Sequence, residues 1–221
     1  MGSPDLPQVL QTTFEQMGGL KPTFSWRADP WLSFPWSVQA GSWLPYGGIL
    51  YGEADAPEIE WARALCQLRL SHPPIPVAYP RDPQAASAEV LTYAWCLNRI
   101  LQGVMLDRAL EQLGYDSNKS KRLTQEQLMA QSERIPDYVK ALLLLELLYR
   151  GIEISWQKEL QAACGEDEMR AAHQLNMACI RPEDPDRTLL QVHHFGLRIS
   201  GSQEGQLRTG LQIQLSDGRQ V

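Results

Sequence analysis

The side chains best suited to hold a metal are Cys164, His173, Cys179, His193 and His194. Zinc sites place paired ligands two to four residues apart, so that one turn presents two donors together. The first four of these residues are nine, six and fourteen apart, and His193 and His194 are expected on a strand, where neighbours point to opposite faces. Cys164 and Cys179 fall on apolar helix positions, where a small buried thiol is ordinary. No metal or other cofactor is therefore expected. Nucleophilic chemistry has no clearer footing, since the chain has no Gly-x-Ser-x-Gly elbow and no local cysteine signature. Gly47, Gly48 and Gly52 precede no Lys-Ser or Lys-Thr and form no phosphate loop. Glu53, Asp55, Glu58 and Glu60 read as the acidic start of a helix, which its dipole favours, rather than as an acid–base cluster. No catalytic residue is assigned, and a non-enzyme is expected.

Aromatic residues carry the stronger functional signal. Ten of the eighteen precede residue 62. Eight of these share residues 21–57 with Pro22, Pro30, Pro35, Pro45 and Pro57, so this arm (residues 1–56) should be irregular and extended or turn-rich. Pro30-Trp31 and Pro35-Trp36 lie five residues apart. Proline lowers the ordering cost of binding, and tryptophan is enriched at interface hot spots. Trp26, Trp31, Phe34, Trp36 and Trp43 are the candidate partner-binding residues. The competing reading is that these rings staple the arm onto the protein's own helices.

The elements that follow have legible ends. A helical hairpin region is expected over 57–115: Asp55 and Pro57 open a helix to about Leu70, and a short extended piece surrounds Val77. Asp82 and Pro83 then open a helix of about 30 residues closed by Gly114, with a buried stripe of Val90, Ala94, Leu97, Leu101, Val104 and Met105. Tyr115–Arg122 is polar and reads as a mobile linker. A second region, 124–221, starts with the capping box Thr124-x-x-Gln127. Its helix over Asp137–Arg150 is apolar nearly all round, closed by Gly151. A short strand at Ile152–Ile154 and helices over Ser155–Gly165 and Glu166–Cys179 follow. Alternation over Leu189–Ile199 and Leu207–Leu215, around Gly201–Gly205, predicts a C-terminal β-hairpin.

That order over residues 137–216 resembles the winged helix-turn-helix superfamily, most sharply where Glu159-Leu160 is followed by Gly165 and Leu175 with Ala162, Ala163 and Met169 between the helices. The resemblance implies an α+β, mostly helical fold with a winged-helix-like C-terminal domain, three helices plus the hairpin. It also implies a second helix able to enter a DNA groove. Here that helix begins Glu166-Asp167-Glu168, leaving Arg170, His173 and Gln174, with Arg198 and Arg208 from the wing, as candidate nucleic-acid contacts.

The 221 residues carry a net charge of −6, and residues 120–221 hold 12 basic and 14 acidic side chains, a poor match to duplex phosphates. No apolar run nears the roughly 20 residues that span a bilayer. The first five residues lack the basic start of a signal peptide, and the four dispersed cysteines read as reduced core thiols, so a soluble cytoplasmic protein is expected. These observations favour a protein-binding adaptor or assembly subunit of a larger complex. A winged-helix nucleic-acid regulator using helix 166–178 and wing 196–210 is the alternative, and an enzyme with a dispersed site the next.

Overall fold

A computed structural model describes residues 23–25, 38–42, 48–52, 57–70, 75–82, 85–122, 136–150, 166–179 and 184–221. Within the proline-rich arm the described residues are extended. They form strands β1 (Thr23–Ser25), β2 (Val38–Ser42) and β3 (Gly48–Gly52). Central β3 runs parallel to β1, with Leu50 opposite Phe24, and antiparallel to β2, with Leu50 opposite Ala40. Trp26, Trp31, Phe34, Trp36 and Trp43 lie outside the described residues.

Helix α1 (Glu58–Leu70) starts directly after Pro57 with Glu58 and Glu60 in its first turn. Strand β4 (Val77–Pro80) is the short extended piece around Val77. Helix α2 (Ala88–Gln112) is shorter than expected, because Ser87, not Asp82, caps it. The Ser87 hydroxyl accepts from the Val90 amide at 3.4 Å, whereas Asp82 accepts from Ala85 at 3.2 Å and closes a separate turn before the helix. Gly114, at φ 86°, adopts the left-handed conformation that ends it. The expected stripe proves too narrow. Every residue from Val90 to Gly103 is buried, while Met105 is exposed. The cause is that α1, β4 and the helices below surround α2. The expected linker is also structured: residues 117–122 are helical, Asp116 accepts from the Asn118 amide at 3.0 Å, and Ser117 and Ser120 are buried.

Helix α3 (Asp137–Tyr149) starts after Pro136 and is buried without a break from Ala141 to Leu147, as its all-round apolar sequence requires. Helix α4 (Glu166–Cys179) has the expected bounds. The capping box at Thr124, the strand at Ile152–Ile154, the helix over 155–165 and Gly151 lie outside the described residues.

The C-terminal hairpin is not formed. Residues Pro185–Ile199 are helix α5, followed by a 3-10 turn (Gly201–Gln203), helix α6 (Glu204–Gly210) and strand β5 (Leu211–Gln214). Asp184 caps α5, accepting from the Arg187 amide at 2.9 Å, and Pro185 occupies the first turn. Leu189, Val192, Phe195 and Gly196 are buried at three- and four-residue intervals, a helical period that outcompetes the apparent alternation. Of the proposed wing, 196–210 is therefore helical apart from the turn between α5 and α6. The alternating reading does hold for the last segment, where Leu211, Ile213 and Leu215 are buried. Its partner differs: β5 pairs antiparallel with β4, Val77 opposite Gln214 and Pro80 opposite Leu211. On its other side Ile213 exchanges backbone hydrogen bonds of 3.0 and 2.8 Å with Val221.

The free side of β4 is closed by a side chain. The Ala78 amide donates to Asn98 Oδ1 and Asn98 Nδ2 donates to the Ala78 carbonyl, both at 2.8 Å, so α2 supplies the hydrogen bonds of a missing strand. The described residues are thus α+β and mostly helical, with the three-stranded mixed sheet of β1, β2 and β3 and the two-stranded antiparallel sheet of β4 and β5. Among the described residues no helix is long and apolar enough to cross a membrane.

Candidate functional site

Helices α4 and α5 pack side by side and leave between them an open groove of about 420 Å³. Ala171, Leu175 and Ala178 line it from α4, at positions i, i+4 and i+7, and Phe195 closes the floor from α5. Gln174, Gln191, His194 and Arg198 form the polar margin. These spacings place each set on one face of its helix, so the groove follows the helix axes. The Arg198 guanidinium lies 5.9 Å from the centre of the Phe195 ring, within the range of a cation–π contact. It is the one charged group among the described lining residues and forms no ion pair with any of them.

The residues proposed for nucleic-acid contact are only partly united. Gln174 and Arg198 share the groove. Arg170 pairs with Asp167 at 3.4 Å, and Arg208 pairs with Glu204 at 2.5 Å, both within one helix. His173 is exposed on α4 and does not line the groove.

His193 and His194 stand on a helix rather than on a strand, with ring centres 5.9 Å apart. His194 reaches the groove, whereas His193 turns inward to Tyr93. The Tyr93 hydroxyl donates to the His193 carbonyl at 2.7 Å and lies 3.2 Å from Nδ1. Burial, the His194 ring and Arg208 push the His193 imidazole down to about 4, so it is neutral at physiological pH. Tyr93 also explains a glycine. A Cβ on Gly196 would sit 2.6 Å from Tyr93 Cε2, so only glycine permits this approach of α5 to α2. Among the described residues no group of His, Cys, Asp and Glu is arranged to hold a metal ion.

No family model, curated protein or solved structure matches the chain.

Beneath the helices lies an ionic network with no clear sequence signature. Arg99 of α2 grips Glu146 of α3 with two bonds of 2.7 Å. Arg150 donates to Glu146 at 2.9 Å and to both oxygens of Asp107, at 3.1 and 2.6 Å. All four residues are buried. Burial alone would raise the Glu146 pKa, but Arg99, Arg150 and Arg63 overcome it and hold the carboxyl below its ordinary range. The Arg150 stem lies against Gly103, where an added Cβ would come within 2.9 Å of Cγ. The Trp95 ring stacks 4.7 Å from the Arg99 guanidinium. With every charge engaged by another, the network locks α2 to α3 rather than presenting a reactive group.

Proposed function

We propose that this chain is a non-enzymatic protein-interaction module, an adaptor or assembly subunit of a larger complex. The observation that carries the reading is the α4/α5 groove, an apolar floor with a polar margin that includes Arg198, which forms no ion pair among the described residues. Interfaces are built in this way, with a fully desolvated centre and a hydrated rim. The net charge of −6 and the Pro-Trp pairs of the arm support the same reading. A duplex-binding role draws less support, because Arg170 and Arg208 are already paired with carboxylates.

The test compares capture of the native partner by wild type, by Trp31→Ala/Trp36→Ala and by Ala178→Arg. Folding of each is checked by circular dichroism. The reading expects at least one folded variant to lose the partner. Retention of the partner by both would remove the groove and the arm as docking surfaces, and unfolding of the double tryptophan variant would mean that the arm is stapled to the protein itself.

A further inference from the structure

We propose, independently of what this chain docks to, that the buried ions between α2 and α3 set the register of α3, a choice its apolar residues leave open. Leucine fills six of the seven positions from Leu142 to Leu148, and α3 is buried without a break from Ala141 to Leu147. Sliding this helix by one turn, about 5.4 Å, therefore puts leucine where leucine was. Leu143 takes the place of Leu147, and Leu144 that of Leu148. A turn of the helix about its axis by one residue has the same effect on the run from Leu142 to Leu145. Hydrophobic burial is non-directional and follows the area covered, so it separates such arrangements weakly.

Charges and one glycine separate them strongly. Arg99, Gly103 and Asp107 stand at four-residue steps on α2, as Leu142, Glu146 and Arg150 do on α3. Arg99 donates to both oxygens of Glu146, while Arg150 lays its stem against Gly103 and its guanidinium on Asp107. A slip of one turn would set Arg99 against Leu142, without its carboxylate, or against Arg150, a like charge. It would also carry the Arg150 stem off Gly103, where even an added Cβ would come within 2.9 Å, and onto the side chain of Arg99 or Asp107. A buried ion parted from its partner is strongly destabilising, so the wrong registers are rejected. A single polar position in an apolar helix seam fixes register in coiled coils by the same physics, at some cost in stability. The network thus acts on uniqueness more than on net stability, because the attraction of buried ions only about offsets their lost hydration.

The full chain is compared as wild type, as Glu146→Leu, and as the fourfold variant Arg99→Met/Asp107→Leu/Glu146→Leu/Arg150→Met, which removes two charges of each sign. Urea unfolding reads stability, and the methyl NMR spectrum of the leucines reads whether their packing is unique. Glu146→Leu should unfold at a clearly lower urea concentration, because it takes the shared anion from two buried guanidinium groups. The fourfold variant should regain at least half of the midpoint lost by Glu146→Leu, yet show more than one methyl signal for leucines of α3. A fourfold variant that is unfolded, or that regains less than half, overturns the proposal by making the ions a source of net stability. So does a fourfold variant with one sharp signal for every leucine methyl, since the leucines alone would then fix the register.

Discussion

Replacing Glu146 with alanine should cost this protein a large part of its stability. Its carboxylate receives three charge-assisted bonds, two from Arg99 and one from Arg150, at 2.7–2.9 Å, and all three side chains are buried. At about 4 Å between charge centres and an effective dielectric near 20, each pair interacts by roughly 4 kcal/mol before desolvation is counted. Removing the shared anion leaves two guanidinium groups in the interior with Asp107 as the one carboxylate in direct contact with Arg150. Breaking a buried pair in this way typically costs about 3–5 kcal/mol. For a chain of this size, that corresponds to a fall in Tm of about 6–20 °C. Asp137→Ala is the control. Its pair with Lys140 is 3.0 Å long but lies on the surface, where such pairs contribute about 0–1 kcal/mol. Urea unfolding at pH 7, followed by far-ultraviolet circular dichroism, reads both. A loss below about 1 kcal/mol for Glu146→Ala, or a loss equal to that of Asp137→Ala, would refute the claim that burial gives this network its leverage. Because the folded-state pKa of Glu146 is depressed, its contribution is complete above the unfolded value of about 4.3 and disappears as pH falls through the lower folded value.

Four further outcomes follow from single positions. Gly196→Ala should destabilise by about 1–3 kcal/mol through its collision with Tyr93. In contrast, Gly205→Ala, in α6 with nothing within 4 Å of an added Cβ, should be neutral or stabilise by up to about 1 kcal/mol in the same thermal melts. Asn98→Ala should cost about 1–3 kcal/mol, since the amide and carbonyl of buried Ala78 both lose their partner; hydrogen exchange at β4 should accelerate, and unchanged exchange there would contradict the edge-closing role. His193 binds a proton less readily folded, at about 4, than unfolded, at about 6.5. Its contribution is therefore full above pH 6.5, declines between about 6.5 and 4, and is constant below; His193→Gln should flatten that part of the stability profile, and an unaltered profile would disprove it.

Local signals in the sequence were legible wherever one residue decides the local conformation. Pro57, Pro136 and Gly114 mark helix ends as expected, and the run of leucines in α3 announces burial on all sides. Leu189–Ile199 misled because its pattern supports two periods. Leu189, Phe195, Leu197 and Ile199 satisfy alternation, while Leu189, Val192 and Phe195 satisfy a helix. Asp184-Pro185 favoured the helix, as Pro57 and Pro136 did at α1 and α3, although the same pair at Asp82-Pro83 does not cap α2. Tertiary partnerships were not legible. Glu146 and Arg150 are four apart, but their partners Arg99 and Asp107 lie 47 and 43 residues away. Of the eight residues that line the groove, Gln174 and Arg198 were singled out in the sequence for their charge and polarity, as candidate nucleic-acid contacts. Its floor was not, because Phe195 and Leu175 become neighbours only when α5 is a helix lying on α4.

The central claim, that this chain works by docking to another protein, is tested most directly by affinity capture of the tagged full-length chain from extract of its own cells. Capture is performed with and without nuclease, and bound species are quantified by mass spectrometry. The account predicts a near-stoichiometric protein partner that survives nuclease. Loss of every partner on nuclease treatment would contradict it and make nucleic acid the ligand.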